Sequence, residues 1–314
     1  FTCPACKTPH SFTRYIDGET HQPIHPAVGK CNREIKCGYN YTPRQYFADL
    51  RNQELSQPRD HSQPHNFSQL QSQPQPQPEP SPSEKPADFI PRKYLKRSLS
   101  LQSNFVRFLR KYFTDLQITE AANNYLLGAT RNGEVIFWQI DIRGKIRTGK
   151  IMQYNPQTGR RIKTGYGGIN WVHHKLKKTN PTYAHFNLRQ CYFGEHLLQL
   201  YPHKPVAIVE AEKTAVIASM INHDYNWLAA GNLNGLNTEK SQALRDKTVI
   251  LYPDAGCLEK WNKKMNQIKK DINCLIRISH LIEATATPTQ LDSGYDLADY
   301  ILEYITIRAQ SSNL

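Results

Sequence analysis

The sequence predicts an α/β protein: a small N-terminal cysteine-rich ribbon, a disordered linker, a basic α+β subdomain and an open, Rossmann-like parallel-sheet domain. Three observations predict it. Two short runs, Val206-Ala207-Ile208-Val209 and Val249-Ile250-Leu251-Tyr252, each lead into a helical pattern, Glu212 to Ile221 and Leu258 to Ile272. Apolar runs of that length, rich in β-branched residues, read as strands buried on both faces of a parallel sheet. Four of the seven cysteines fall in the first 37 residues. The formal net charge of +13 is confined to the middle: residues 88–202 hold 19 Lys/Arg against 6 Asp/Glu, and the remainder is balanced. At 314 residues the chain has room for two or three compact units. The boundaries expected are 1–51, 52–87, 88–202 and 203–305, with a tail over 306–314.

In the ribbon, Cys3-Pro4-Ala5-Cys6 brings two thiolates close enough for one tetrahedral ion. Cys31 and Cys37 form the second pair, separated by five residues instead of the usual two, and Gly38-Tyr39 supplies the turn that a knuckle needs. No signal peptide or span-length apolar run appears, so the chain reads as cytoplasmic. In a reducing cytosol clustered cysteines more often bind metal than form disulfides. The expectation is one Zn²⁺ on Cys3, Cys6, Cys31 and Cys37, with disulfide-bonded or simply buried thiols as the other reading. His10 can replace one cysteine as ligand. The chain opens at Phe1 without a Met, which points to a processed or truncated chain with residues upstream. Residues 52–87 are low in complexity, clearest in Gln71-Ser72-Gln73-Pro74-Gln75-Pro76. Pro removes backbone donors and Gln and Ser offer no apolar surface, so this stretch reads as an extended, mobile tether.

In the basic subdomain, Phe105 to Tyr112 reads as an amphipathic helix, and Val135 to Ile146 as two strands joined at Arg143-Gly144. Lys145, Arg147, Lys150, Arg160, Arg161 and Lys163 cluster around turns. They are expected to meet single-stranded nucleic acid or a triphosphate, with solvated turn residues as the plainer reading. His173 and His174 read as surface or nucleic-acid contacts.

The two apolar runs of the last domain end in carboxylates, Glu210 and Asp254. The carboxyl ends of parallel strands line the ligand crevice of an open sheet. Two acidic groups facing each other there cost repulsion unless a divalent cation sits between them. Asp296, within Gly294-Tyr295-Asp296-Leu297-Ala298-Asp299-Tyr300, supplies a third carboxylate, and the loop Gly231 to Asn237 lies on the same rim. The set suggests a Mg²⁺ site and phosphate chemistry.

From Pro205 to Tyr304 this constellation resembles the Toprim domain of bacterial and phage primases and topoisomerases. Val209-Glu210-Ala211-Glu212-Lys213-Thr214-Ala215 is similar to the family's Glu-Gly-Glu-Lys-Asp-Ala stretch, with Ala211 where Gly is usual. Val249 to Asp254 is similar to the strand carrying the Asp-x-Asp pair, with Gly256 at the second Asp. Tyr295-Asp296-Leu297-Ala298-Asp299 is similar to the later Lys-Asp-x-Asn-Asp stretch. The cysteines, with Ser11 to Tyr15 as a strand, resemble primase zinc ribbons. The order of hairpin, the turn Lys150 to Arg161, and Cys191-Tyr192-Phe193-Gly194-Glu195-His196-Leu197-Leu198 resembles the primase catalytic core.

The resemblance implies a DNA primase-like nucleotidyltransferase of DNA replication, similar to primase-like proteins of bacterial mobile elements. It would act on single-stranded DNA and nucleoside triphosphates. Glu210, Asp254 and Asp296 would hold Mg²⁺ or Mn²⁺, with Asp299 or, next, Glu212 in place of the missing Asp. Lys213 would neutralise a phosphate or lie on the helix surface. A Toprim nuclease and a non-catalytic single-stranded DNA-binding protein of a mobile element remain as alternatives. No Gly-x-x-x-x-Gly-Lys-Ser/Thr loop appears, so unwinding would come from a helicase or another replication or mobilisation partner.

Overall fold

The computed structural model describes residues 1–17, 22–33, 36–55, 86–163 and 168–311. Residues 56–85, most of the linker expected over 52–87, lie outside the described residues. The chain divides into two compact units, Phe1–Glu79 and Pro80–Leu314.

The first unit is an antiparallel sheet of β1 (Phe12–Arg14), β2 (Gly29–Cys31) and β3 (Asn40–Tyr41), followed by α1 (Pro43–Leu55). Its interior cluster is Cys3, Phe12 and Cys31, with Cys6, Cys37 and Tyr39 packed against it. So little apolar surface cannot offset the entropy of ordering the chain, and a ribbon of this size needs a cross-link or a metal.

The second unit opens with α2 (Arg92–Ser98), α3 (Asn104–Leu109) and α4 (Asp115–Tyr125). Ser103 caps α3, and Thr114 with Gln117 forms a capping box on α4, so both starts are written locally. The helix expected through Tyr112 stops at Leu109, whose carbonyl takes the N–H groups of Tyr112 and Phe113. An antiparallel sheet follows: β4 (Gly128–Ala129), β5 (Val135–Ile140), β6 (Ile146–Met152) and β7 (Ile169–Trp171), paired in sequence order. The expected hairpin is β5–β6. Along β5, Val135 and Phe137 join one apolar cluster while Ile136, Trp138 and Ile140 join another, so both faces are covered. α5 (Val172–Thr179) contributes Val172 and Leu176 to the second cluster.

After α6 (Leu197–Leu200) comes the parallel sheet: β8 (Val206–Val209), α7 (Glu212–Ile221), β9 (Asn226–Ala229), α8 (Thr238–Ser241), β10 (Thr248–Tyr252), α9 (Leu258–Asp271) and β11 (Leu275–Ile278). α10 (Leu281–Thr285), α11 (Pro288–Ser293) and α12 (Leu297–Ser311) complete it. The strand order is β11-β10-β8-β9. β8 therefore has β9 on one side and β10 on the other, and the order reverses beside β8, which is where an open sheet forms its crevice. α12 runs across residue 306, where a tail was expected, because Leu302 is buried and Ile305 packs on the core.

The two sheets share an interior. One apolar cluster runs from Phe105, Phe137 and Tyr154 through Phe193 to Val209, Ala215, Trp227 and Leu302. Phe193 exchanges two backbone hydrogen bonds with Ala229, both 3.0 Å, and the Tyr125 hydroxyl donates to the Trp227 carbonyl at 2.8 Å. Among the described residues, no helix is long and apolar enough to cross a membrane.

Candidate metal centre and carboxylate rim

The ribbon brings Cys3, Cys6, Cys31 and Cys37 together with all four sulfurs within 4.8 Å of one another. Cys3 and Cys37 sulfurs lie 3.7 Å apart, and those of Cys6 and Cys31 3.9 Å. A tetrahedron with Zn–S bonds of about 2.3 Å has an edge of about 3.8 Å. A disulfide needs about 2.05 Å, and all four thiols are free. The donor set fits zinc. Hydrogen bonding to Thr8 lowers the Cys6 thiol to about 5, favouring the thiolate that a metal needs. The five-residue gap is accommodated because Cys31 ends β2 while Cys37 follows a turn in which its N–H donates to the Arg33 carbonyl, with Gly38 at φ 67°. His10 lies outside the cluster.

At the second site the register decides the geometry. Val209 on β8 lies opposite Tyr252 on β10, so Glu210 and Asp254 leave neighbouring strands at the point where the strand order reverses. Burial, then the charges of Glu210 and Asp296, push the Asp254 carboxyl well above its usual range. Asp296 is buried and accepts from Thr214 Oγ1 at 2.8 Å. It also caps α12: Asp296 Oδ1 accepts from the Asp299 N–H at 2.9 Å, and Asp299 Oδ2 from the Asp296 N–H at 3.3 Å. The spacing that suggested two ligands is thus also the spacing of a reciprocal helix cap.

Lys213, in the first turn of α7, sits among these carboxylates, with Nζ 3.9 Å from Asp296 and 3.6 Å from Asp299. Burial alone would lower its pKa, but Asp296, Asp299 and Asp254 outweigh that and hold it above the usual lysine value. The oxygens of Glu210, Asp254 and Asp296 are hard donors of the kind Mg²⁺ and Mn²⁺ take. Among the described residues the cysteines form the one group of three or more His, Cys, Asp or Glu side chains placed to hold a metal ion. Gly256, at the position of the absent Asp, has φ 75° and donates its N–H to Glu283 Oε2 at 2.9 Å. Glu283 was missed in the sequence. Its signal was its place in α10, a few residues beyond the end of β11 and so on the same rim.

Glu212 and Lys150 depart from expectation together. Both are buried, and Lys150 Nζ meets Glu212 Oε2 at 2.9 Å and the Gly231 carbonyl at 2.8 Å. Lys150 points inward from β6 and presents no charge to a strand at the surface. Glu212, the second choice for the missing ligand, is already neutralised. Lys240 Nζ donates to the Ala230 carbonyl at 3.0 Å, so two buried ammonium groups hold the start of the Gly231–Asn237 loop.

Of the other cations, Arg147 pairs with Asp141 at 2.8 Å and lies over the Phe89 ring, which Lys145 also approaches. Arg160 and Lys163 are exposed and Arg161 is half-buried, around a turn in which Asn155 Oδ1 accepts from the N–H groups of Gln157 and Thr158. His173 is buried rather than on the surface. Its Nδ1 lies 2.8 Å from Thr148 Oγ1, and burial lowers it to about 4, so it is neutral.

Residues 103–255 match the family model described as Domain of unknown function (DUF6371). Residues 1–52 match that of a zinc beta-ribbon finger, Zn_ribbon_16. No curated protein matches the chain. Among solved structures, the primase fragment of the bacteriophage T7 primase-helicase protein is 12% identical, with a TM-score of 0.36 over 62% of this chain and 70% of that one. The DnaG catalytic core is 12% identical, with a TM-score of 0.40 over 69% and 82%. The RNA polymerase domain of Mycobacterium tuberculosis primase DnaG is 9% identical, with a TM-score of 0.40 over 69% and 81%. At these scores the likeness is remote, and the roles of the residues rest on this chain's own geometry.

Proposed function

We propose that the protein is a primase-like nucleotidyltransferase of Toprim type that acts on single-stranded DNA in the cytoplasm. The observation that carries this reading is the placement of Glu210 and Asp254 at the ends of adjacent parallel strands where the strand order reverses, with Asp296 beside them. Residues 88–202 and 203–305 then work as one catalytic unit, with the ribbon at 1–51 reading the template. Primer synthesis joins a 3′-hydroxyl to an α-phosphate and releases pyrophosphate, so most of the catalysis is positioning and charge stabilisation. A bound Mg²⁺ or Mn²⁺ would supply Lewis-acid stabilisation of the phosphoryl oxygens. Glu210, Asp254 and Asp296 would hold it, and Lys213 would hold the Asp296 and Asp299 side chains in place. Arg160, Arg161 and Lys163 would bind the strand, and a separate helicase or mobilisation protein would open the duplex.

The test is synthesis of labelled primers on single-stranded DNA by the whole chain, with Mg²⁺ and with Mn²⁺. Synthesis by the parent and none by Asp254→Asn is the expected result; equal synthesis by both removes the rim from the chemistry. A second reading, a non-catalytic DNA-binding protein, is favoured by the Lys213 ammonium already lying among the carboxylates. A parent that binds single strands but neither primes nor cuts them would establish it.

A further inference from the structure

A cleft of 720 Å³ opens between the end of α2, the start of α3 and the turn joining β4 to β5. Arg97, Arg107 and Arg131 line it, all three exposed, and no Asp or Glu does. Among the described residues none of the three pairs with a carboxylate; Arg107 reaches only Asn104 Oδ1, at 3.5 Å. Glu134, next to the turn, is engaged elsewhere: its Oε2 accepts from Thr130 Oγ1 at 2.8 Å and faces Lys175 at 3.4 Å. Three uncompensated guanidinium groups on one concave face call for an anion, and their planar forks match phosphate oxygens.

The walls of the cleft are fixed. The Thr130 N–H donates to the Glu134 carbonyl at 2.9 Å, and that of Gly133, at φ 76°, to the Thr130 carbonyl at 3.0 Å. The Gly133 carbonyl accepts from the Asn104 N–H at 2.8 Å, which ties the turn to the start of α3. Gln153 joins both walls to the basic turn: its Oε1 accepts from Asn104 Nδ2 at 3.3 Å, and its Nε2 donates to the Asn132 carbonyl at 3.0 Å. The next residue, Tyr154, bridges to Arg161 across that turn. Cleft and basic turn are thus joined through Gln153 and Tyr154. No aromatic side chain lines the cleft, so it offers phosphate contacts without base stacking.

We propose that this cleft is a phosphate-backbone subsite for single-stranded DNA, extending the path of the strand beyond the turn carrying Arg160, Arg161 and Lys163. The proposal rests on the action on single-stranded DNA argued above. A free nucleoside triphosphate carries the same phosphate chemistry, so the test has an arm for each. The whole chain and its Arg97→Gln/Arg107→Gln/Arg131→Gln variant are titrated with fluorescent oligo(dT) and, separately, with ATP across a range of salt. The triple variant is expected to bind oligo(dT) at least about tenfold more weakly at low salt. Its salt slope should flatten by about 2, since three phosphate contacts on a single strand contribute about 0.7 each. ATP binding should be unchanged, and a triple Lys variant should keep the parent slope. Arg131→Gln alone, expected to show about a third of that flattening, about 0.7, gives the same answer should the triple variant misfold.

Parent-like affinity and slope in the variants overturn the proposal, as does a loss confined to ATP. If Arg160→Gln/Arg161→Gln/Lys163→Gln weakens the strand while the cleft variants do not, the cleft fails and the wider reading stands. A parent that binds no strand overturns both.

Discussion

The ribbon and the carboxylate rim both cluster acidic side chains, and they solve the clustering in opposite ways. In the ribbon four sulfurs lie within 4.8 Å, at separations close to those of a tetrahedral zinc site, around a unit with little other core. The site is the fold there. On the rim the carboxylates lie on a sheet with apolar clusters on both faces, and have a lysine among them. The fold holds that site, at the cost of the burial and then the repulsion that raise Asp254. A structural metal site can stabilise its surroundings, whereas a site meant for changing charge must be stabilised by them.

Zinc removal should break the comparison hardest. Structural zinc contributes about 10–16 kcal/mol to small ribbons, so chelation or Cys31→Ser should unfold residues 1–51 and leave the second unit's melting transition in place. Elemental analysis should find one zinc per chain in the parent and none in the variant. The next effect falls on what supports the rim. Lys150→Met leaves Glu212 buried and unpaired and should lower stability to urea by about 3–5 kcal/mol, and Lys150→Met/Glu212→Leu should recover most of it. A double variant as unstable as the single one would mean that packing, not charge, sets the loss. On the rim itself, Glu210→Gln and Asp254→Asn should each cut primer synthesis by more than about a hundredfold. Neither should change zinc content or the single-strand binding measured by anisotropy.

The smallest effect concerns a buried carboxylate, Glu195, that belongs neither to the cysteine cluster nor to the rim. Burial raises Glu195 to about 7 from its ordinary 4.5, even though it accepts the N–H groups of Ile142 and Tyr192. The folded state therefore binds the proton more tightly than the unfolded chain. The stability this provides is fully present below pH 4.5 and is lost as pH rises toward 7, by at most about 1.4 kcal/mol per pH unit. Glu195→Gln should flatten that decline in denaturant melts, and an unchanged profile would assign it to other groups.

The parallel sheet was legible because its signals are short-range. β8, α7, β10 and α9 lie where the apolar runs and helical patterns put them, with α7 at Glu212–Ile221 as expected and α9 one residue shorter. The four cysteines were legible by residue type, although their closeness is made by β2 and the turn before Gly38. What could not be read was direction. Lys150 sits in a basic block, and nothing local says that it turns inward; its partner lies 62 residues on. Asp296 and Asp299 carry two signals at one spacing, a ligand pair and a helix cap, and sequence alone does not choose between them. Glu283 and the arginine cleft were hidden because each is assembled by tertiary packing, although Asn132-Gly133 is an ordinary turn signal beside the cleft.

The ion pair between Lys150 and Glu212 also limits how this chain can be divided. A fragment beginning at residue 203 would contain the whole parallel sheet and every rim carboxylate, yet it would lack Lys150, Phe137, Tyr154 and Phe193. Its Glu212 would be left without its lysine beside an uncovered apolar face, and the Gly231 carbonyl would lose its ammonium. For expression and crystallisation, the shortest autonomous piece carrying the rim therefore begins upstream of β5.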